Sequence, residues 1–320
     1  MNAEILHLLA CPRCGSSYRA AAADGGADWL VCLQCAHRVP VIEEIPRFVQ
    51  TPEDETAKRT QASFGYEWTH FNDWSQSGHI NFNDYFQGID LTALVGRLVL
   101  DAGCGMGRHA RQIAPFAGNV VAADFSRAID EAKRNTAVLT NVTCIQADVL
   151  ALPLLNASFD FVYSMGVLHH LADTERALEG LVSKLKLGGT LRIYLYWKRH
   201  GLQGRLLSLV SLMRRITTRL PFQALRVLCW ILSVVLYGAV ILPYRLLSRM
   251  GMQRHTSWPL FVYAKYPFAV LYNDQFDRFS APIEKRYDPD EVRELLRAAG
   301  LSHIHIRPCF GWIADGVKLA

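Results

Sequence analysis

The chain of 320 residues is long enough for one large and one small domain, and its 51% hydrophobic content supports a sizeable core. Its net charge of +5 is unevenly distributed: residues 198–273 contain eleven Lys or Arg and no acidic residue, while the remainder carries 23 basic and 29 acidic residues. This segregation favours an anionic surface or substrate. The apolar N-terminal stretch lacks a preceding basic region, which argues against a secretory signal peptide.

Residues 1–48 contain two C-x-x-C pairs separated by seventeen residues, a spacing typical of a four-cysteine zinc ribbon. Two such pairs supply the four thiolates of a closed tetrahedral site, so we expect a structural zinc ion rather than a catalytic one. Redox chemistry is the alternative for these cysteines. The predicted zinc ligands are Cys11, Cys14, Cys32 and Cys35. The scattered remaining cysteines are interpreted as reduced packing residues, which predicts a cytoplasmic location.

A polar linker over residues 50–60 precedes an aromatic-rich stretch over residues 61–74. The stretch is open to two interpretations. It is either an apolar cover packed on the sheet edge or a flap that lies over cofactor and substrate and excludes water. The aromatic residues are Phe64, Tyr66, Trp68, Phe71 and Trp74.

Residues 99–108, VLDAGCGMGR, predict a buried strand that leads through a Gly-rich turn into a helix. A dinucleotide-binding turn needs glycine at the position of Arg108, and Asp101 would repel a pyrophosphate. Both departures favour a positively charged ligand without phosphate, such as S-adenosylmethionine (SAM).

Strands are predicted over 119–124, 142–148, 158–164 and 188–197, with helical stretches such as 127–139 and 171–187 between them. This alternation indicates a doubly wound α/β sheet. Asp124 ends the second strand, where a carboxylate accepts hydrogen bonds from ribose hydroxyls. Asp148 ends the third strand, in a position to meet the adenine amino group.

These motifs together resemble the class I SAM-dependent methyltransferases, of the methyltransferase type 11-like kind, over residues 90–197 and 288–320. The resemblance also rests on 146–154, QADVLALPL, and on 159–171, FDFVYSMGVLHHL. It implies a seven-stranded Rossmann-like sheet and SAM as cofactor. The cofactor-binding residues that it implies are Asp101, Gly103, Cys104, Gly105, Gly107, Asp124, Phe125, Asp148, Val149 and Ser164.

The N-terminal segments LLACPRCG (8–15) and VPVIEEIPRF (39–48) resemble the small zinc-ribbon domain found before some methyltransferases. The predicted organisation therefore has four parts. They are a zinc ribbon (1–55), the cofactor half of a methyltransferase domain (56–197), a helical lid insertion (198–287), and a C-terminal helix with two antiparallel strands that complete the sheet (288–320).

Two histidines, His169 and His170, follow the fourth predicted strand of the sheet. Either residue is a candidate general base that removes a proton from an attacking hydroxyl. The alternative is that one packs against or caps the next helix while the other is solvated. Further along, Asp274, Asp277, Arg278 and Tyr287 form a polar group that either faces the acceptor or belongs to a solvated loop.

The insertion contains eighteen uncharged residues, 227–244, a length at the short end of a membrane span. A single span is disfavoured, because it would separate the last two strands from the sheet they complete. A buried helical lid and a helix lying in the plane of a membrane remain as alternatives, and the interspersed arginines favour contact with lipid or a lipid-like substrate over residues 198–273.

The sequence therefore predicts a cytoplasmic, membrane-associated SAM-dependent methyltransferase. Its acceptor is expected to be a hydrophobic or lipid-linked small molecule, methylated on oxygen or carbon. An RNA base methyltransferase is one alternative, although the apolar character of the basic segment disfavours nucleic acid. A non-catalytic methyltransferase-fold partner subunit is the other.

Overall fold

The computed structural model describes residues 3–22, 28–49, 54–71, 78–251 and 260–319. The strands in these ranges are β1 Tyr18–Ala22, β2 Asp28–Cys32, β3 Arg38–Ile42, β4 Ile45–Pro46, β5 Leu98–Ala102, β6 Asn119–Asp124, β7 Val142–Gln146, β8 Phe159–Met165, β9 Leu185–Leu195, β10 Leu301–Pro308 and β11 Trp312–Lys318. The helices are α1 Ala3–Leu6, α2 Glu55–His70, α3 Gly78–Phe86, α4 Arg108–Ile113, α5 Ala128–Asn135, α6 Thr174–Lys184, α7 Gly201–Thr217, α8 Phe222–Leu236, α9 Leu242–Arg249, α10 Phe268–Ser280 and α11 Pro289–Ala298.

The central sheet has seven strands in the order β10-β11-β9-β8-β5-β6-β7. Strands β5 to β9 pair in parallel, whereas β11 pairs antiparallel with both β9 and β10. The strand order reverses between β5 and β8, and ligands of open α/β sheets bind at such a point, beyond the carboxyl ends of the strands. The predicted seven-stranded Rossmann-like fold is confirmed.

Both faces of this sheet are covered, because alternate residues of each buried strand enter different apolar clusters. Leu100 and Ala102 of β5 pack with residues of α6 and α11, whereas Val99 packs with residues of α3, α4 and α5. The continuous apolar runs in the sequence thus reflect burial on both faces. This burial fixes the loops at the carboxyl edge on a rigid frame.

A separate four-stranded antiparallel sheet, β1-β2-β3-β4, carries the two cysteine pairs. All four sulfur atoms lie within 4.8 Å of one another, with Cys11 3.6 Å from Cys35 and Cys14 3.4 Å from Cys32. A tetrahedron of Zn–S bonds of about 2.3 Å requires sulfur separations of about 3.8 Å, so the cluster fits a structural zinc ion. Four thiolates occupy every position of such a site, which suits a structural role.

The zinc ribbon, β1 to β4, packs directly on the large sheet. Arg47, just after β4, contacts Asp130 of α5 at 2.5 Å and donates to the Gln146 side chain of β7 at 3.3 Å. The Phe48 amide donates to the Gln146 carbonyl at 2.8 Å, and Leu9 and Leu30 of the ribbon share an apolar cluster with residues of the large sheet. The ribbon and the large sheet therefore share one core.

The lid helices, α7 to α10, occupy the insertion between β9 and α11. Helix α10 is largely buried and packs against α2, α7 and α8. Arg214 of α7 is buried and forms an ion pair with Glu284 at 2.7 Å. Arg214 therefore has a structural role, whereas the adjacent residues Met213 and Arg215 are exposed.

Two of the lid helices carry stripes of exposed apolar side chains at helical spacing. The opposite face of α8 is buried, with Leu225 and Cys229 fully covered. The exposed residues are Leu209, Leu212, Met213 and Ile216 on α7, and Val227, Trp230, Ile231, Val234 and Val235 on α8.

One helical run among the described residues, Phe222–Arg249, is long and apolar enough to cross a membrane by length and composition alone. It contains α8, a π-helical turn at Tyr237–Ile241, and α9. Downstream of it, β10 and β11 rejoin the sheet through β9. This topology agrees with the argument against a single crossing, because the strands on both sides of the run belong to one sheet.

Substitution of Cys11 tests the zinc site. The Cys11→Ser variant should lose zinc by elemental analysis, and its thermal unfolding temperature should fall, because a structural zinc site supplies about 10–16 kcal/mol of apparent binding free energy. Cys309→Ser, which alters a buried cysteine outside the cluster, should retain the metal. Wild-type protein purified without chelator and found free of zinc would contradict the assignment.

Candidate functional site

A cavity of about 810 Å³ lies at the carboxyl edge of the parallel strands. Small-molecule sites fall in the range of about 300–1,000 Å³. One side of the cavity is formed by the loops after β5, β6, β7 and β8, and the other side by α2, α10 and the segments around them.

The loop after β5 needs its glycines for close approach. A Cβ atom on Gly103 would lie 2.3 Å from a methyl group of Val167, so only glycine allows the loops after β5 and β8 to meet. Gly107 precedes α4 with a φ of +76°, and a Cβ atom there would lie 3.1 Å from Ala132. Both positions combine positive φ with a crowded neighbour, which excludes other residues.

Asp124 joins the loops after β5 and β6. One carboxylate oxygen accepts a hydrogen bond from the Gly105 amide at 2.8 Å, and the other accepts from the Ser126 amide at 2.8 Å and hydroxyl at 2.7 Å. Burial raises the pKa of Asp124, while these donors lower it. A carboxylate offers about four acceptor positions, so capacity remains for a ligand hydroxyl.

The loop after β7 brings a second carboxylate, Asp148, to the cavity. It accepts a hydrogen bond from the Leu150 amide at 2.9 Å, and burial raises its pKa. Val149 and Phe125 line the cavity beside these two acids. The predicted residues that the fold brings together here are Gly103, Cys104, Gly105, Asp124, Phe125, Asp148 and Val149.

Three predicted cofactor residues lie behind this surface. Asp101 is buried within β5, which raises its pKa to about 7, and the Ser164 hydroxyl donates to the Ala102 carbonyl at 2.8 Å. Gly107 packs against α5. Strand periodicity explains the arrangement of the first two, because both belong to the strands rather than to the loops that follow.

The aromatic-rich stretch forms most of α2 and covers the cofactor side of the cavity. Gln61 donates to the Phe125 carbonyl at 3.0 Å, and the Trp68 ring lies against Gly105. Tyr66 instead stacks on Phe222 and Phe276 of the lid helices, with centroids 5.0 and 5.5 Å apart. This helix therefore connects the cofactor loops to the lid; Trp74 lies outside the described residues.

The two histidines have different environments. His170 lines the cavity, and its Nδ1 lies 2.7 Å from the Ile283 carbonyl, so Nδ1 carries the proton of this bond. Its Nε2 lies 3.8 Å from a carboxylate oxygen of Asp277. His169 is fully buried against Tyr196, with ring centroids 3.9 Å apart, and burial lowers its pKa well below the usual value. Of the two histidines, His170 is the one that lines the cavity.

The acceptor side of the cavity contains polar groups from α2 and α10. Asp274 and Asp277 line it, as does Arg278, whereas Tyr287 is turned toward Thr174 with the hydroxyls 2.9 Å apart. Glu67, Tyr196 and Asn273 also line it and were not predicted. Glu67 lies within the aromatic-rich stretch, where the sequence pattern points only to the aromatic side chains.

These residues fit SAM. The glycine loop allows close approach, and two carboxylates, the buried Asp124 and the half-buried Asp148, accept hydrogen bonds and would repel a phosphate group. Asp124 is suited to the ribose hydroxyls and Asp148 to the adenine amino group.

Comparisons with known proteins also point to a methyltransferase domain. The sequence model described as "Methyltransferase domain" matches residues 100–193. An uncharacterized methyltransferase of Mycobacterium bovis is 35% identical over 95 residues, which cover 30% of this chain and 48% of that protein. The demethylmenaquinone methyltransferase of Thermobifida fusca is 34% identical over 104 residues, covering 32% and 44%. The chain thus spans less than half the length of these relatives.

Among solved structures, human N-acetylserotonin methyltransferase in complex with SAM superposes with a TM-score of 0.50 at 15% identity, covering 84% of this chain and 60% of that chain. This similarity shows a shared fold. Residues 100–193 therefore match a methyltransferase domain, and the chain shares the fold of a SAM-dependent methyltransferase.

Proposed function

We propose that this protein transfers the methyl group of SAM to a hydrophobic or lipid-linked small molecule, on oxygen or carbon. The observation that carries the proposal is one shared cavity, lined on one side by Asp124, Asp148 and the glycine loop and on the other by α2 and α10. When bound, SAM supplies an electrophilic methyl group. The chain's own residues bind and orient both partners and exclude water.

His170 is proposed as the general base. Donation from Nδ1 to the Ile283 carbonyl leaves Nε2 as the acceptor in the neutral ring, on the cavity side. An acceptor hydroxyl placed at Nε2 would give its proton to that nitrogen. Asp277 faces the same nitrogen and stabilises the imidazolium that forms.

The hydrophobic acceptor is supported by the aromatic walls and by the exposed stripes on α7 and α8. A relative is, by its name, a demethylmenaquinone methyltransferase. The stripes lie among exposed arginines, including Arg215, Arg219 and Arg226, without any acid between residues 198 and 273. Apolar side chains mixed with arginines suit a membrane surface better than the polar groove of an RNA-binding protein. We therefore propose a cytoplasmic protein that contacts an anionic membrane through this surface.

The acceptor can be sought directly. Purified protein is incubated with SAM labelled in the methyl group and with separate lipid and aqueous fractions of a cell extract. Label is expected in the organic-soluble fraction. Label in RNA, or in no fraction although SAM binds, would contradict the proposed function.

Substitution of Asp124 tests cofactor binding. Asp124→Ala should weaken SAM binding in calorimetry by about 1.5–3 kcal/mol, since hydrogen bonds to a charged group are lost. Asp160→Ala alters a carboxylate at the opposite end of the sheet and should leave the affinity unchanged. A folded Asp124 variant with wild-type affinity would remove this residue from the site.

Substitution of His170 tests the base. His170→Gln should lower the rate of label transfer about 10²–10⁴-fold while SAM affinity stays unchanged, because general-base assistance is lost. His169→Gln should lower the unfolding temperature instead, since that ring is a core residue. Wild-type transfer by the His170 variant would contradict the assignment.

Membrane contact is tested by flotation with anionic vesicles. Because each basic residue near such a surface contributes about 1 kcal/mol, replacing Arg215, Arg219 and Arg226 with Glu should weaken binding by about 3 kcal/mol or more. Salt should weaken wild-type binding without abolishing it, since apolar burial is insensitive to salt. Arg97, Arg293 and Arg297 replaced with Glu serve as the control. Wild-type protein that ignores anionic vesicles would refute the contact.

A further inference from the structure

The acceptor side of the cavity presents buried hydrogen-bond acceptors without donors. Within the described residues, Glu67 Oε2, Asn273 Oδ1 and Asp277 Oδ1 have no hydrogen-bond partner. Glu67 and Asn273 are only 1% and 3% exposed, and all three residues line the cavity. Because an unsatisfied buried polar group is costly, three such atoms on one wall point to a ligand that supplies donors.

The remaining atoms of these side chains are held by the protein. The Tyr196 hydroxyl donates to the second oxygen of Asp277 at 2.9 Å, and Asn273 forms a hydrogen bond with Glu67. Helix α10 supplies Asn273 and Asp277, and α2 supplies Glu67, so two packed helices fix the group. The three unpartnered oxygens are therefore features of a rigid wall.

The arginines that line the same cavity are largely matched by other acids. Arg286 pairs with Glu284 at 2.7 Å, and Glu284 also pairs with Arg214. Arg278 interacts with Asp274, whose second partner is the Tyr263 hydroxyl at 2.7 Å. Glu67 keeps one cationic neighbour in the cavity, Arg108, whose charge lowers its pKa, and Asp277 Oδ1 lies 3.8 Å from Nε2 of His170. Neither contact gives the unpartnered oxygens a hydrogen bond.

The closeness of the acidic side chains indicates the charge of the ligand group that would bind between them. Burial raises the pKa of Glu67 well above its usual value and the nearby charges of Asp277 and Asp274 raise it further, while the hydrogen bond with Asn273 and the charge of Arg108 lower it. A cation placed between the carboxyl groups would remove this repulsion. An anion would add to it.

We propose that the acceptor carries a protonated amine, which this wall binds between Glu67, Asn273 and Asp277. An ammonium group supplies three hydrogen-bond donors for the three unpartnered oxygens, whereas a hydroxyl supplies one. The proposal rests on the proposed function and names the polar end of its hydrophobic acceptor. It differs from the anionic acceptor that the basic composition of residues 198–273 favours, because in the structure Arg215, Arg219 and Arg226 of that segment lie away from the cavity, and Arg199 lines it.

Calorimetry with three probes of equal chain length tests the proposal: octylammonium, octanol and octanoate, each added to the full-length protein saturated with SAM. Octylammonium should bind about tenfold more tightly than either other probe, because its head group is charged and donates three hydrogen bonds. Glu67→Gln and Asp277→Asn should each weaken octylammonium binding about tenfold and leave octanol binding unchanged. Glu294→Gln, an exposed acid of α11, is the matched control.

Octanoate that binds as tightly as octylammonium would overturn the proposal, as would the absence of octylammonium binding. Both variants binding octylammonium like the wild type would overturn it equally. SAM affinity, measured on the same samples, distinguishes failure of the amine proposal from failure of the proposed methyltransferase function. Protein that binds no SAM contradicts the proposed function, whereas SAM binding without preference for the ammonium probe contradicts only the amine.

Discussion

The site depends on one carboxylate, that of Asp124, which ties two loops of the sheet together. It receives the Gly105 amide from the loop after β5, and the amide and hydroxyl of Ser126 from the loop after β6. Since these loops leave adjacent parallel strands, the same contact that orders the backbone also places an acid at the cavity, where we propose that it binds a ribose. Helix α2 then closes over this junction through Gln61 and Trp68. The Asp124 side chain therefore orders the two loops and also presents a hydrogen-bond acceptor at the cavity.

Much of the frame could be predicted because its signals are local. Apolar runs that end in glycine or aspartate marked β5 to β8, and the spacing of four cysteines marked the zinc ribbon. The acceptor wall could not be predicted in the same way. Glu67 and Asp277 lie far apart in sequence and meet only because α2 packs against α10. The difference between His169 and His170 was equally hidden, since it depends on Tyr196 and on the carbonyl of Ile283.

The basic residues of the insertion show why amino-acid composition alone does not predict the charge of the residues that line the cavity. Arg214 forms an ion pair with Glu284. Arg245 donates hydrogen bonds to the Tyr237 hydroxyl at 2.7 Å and to main-chain carbonyls. Lys265 pairs with Asp84, an acid from outside the segment. The basic residues described in this segment are therefore divided among structural contacts, the outer surface and, for Arg199, the cavity lining. The interior instead receives acids from α2 and α10, and from the turn that follows.

The position of the zinc ribbon has a consequence for solubility. Strand β7 ends the large sheet, and an uncovered edge strand offers unpaired amides and carbonyls to other chains. Next to β7, Arg47 and Phe48 of the ribbon bond the side chain and main chain of Gln146. The metal-dependent module therefore shields the edge at which molecules could stack into aggregates. Metal starvation would then be felt first as a loss of soluble protein.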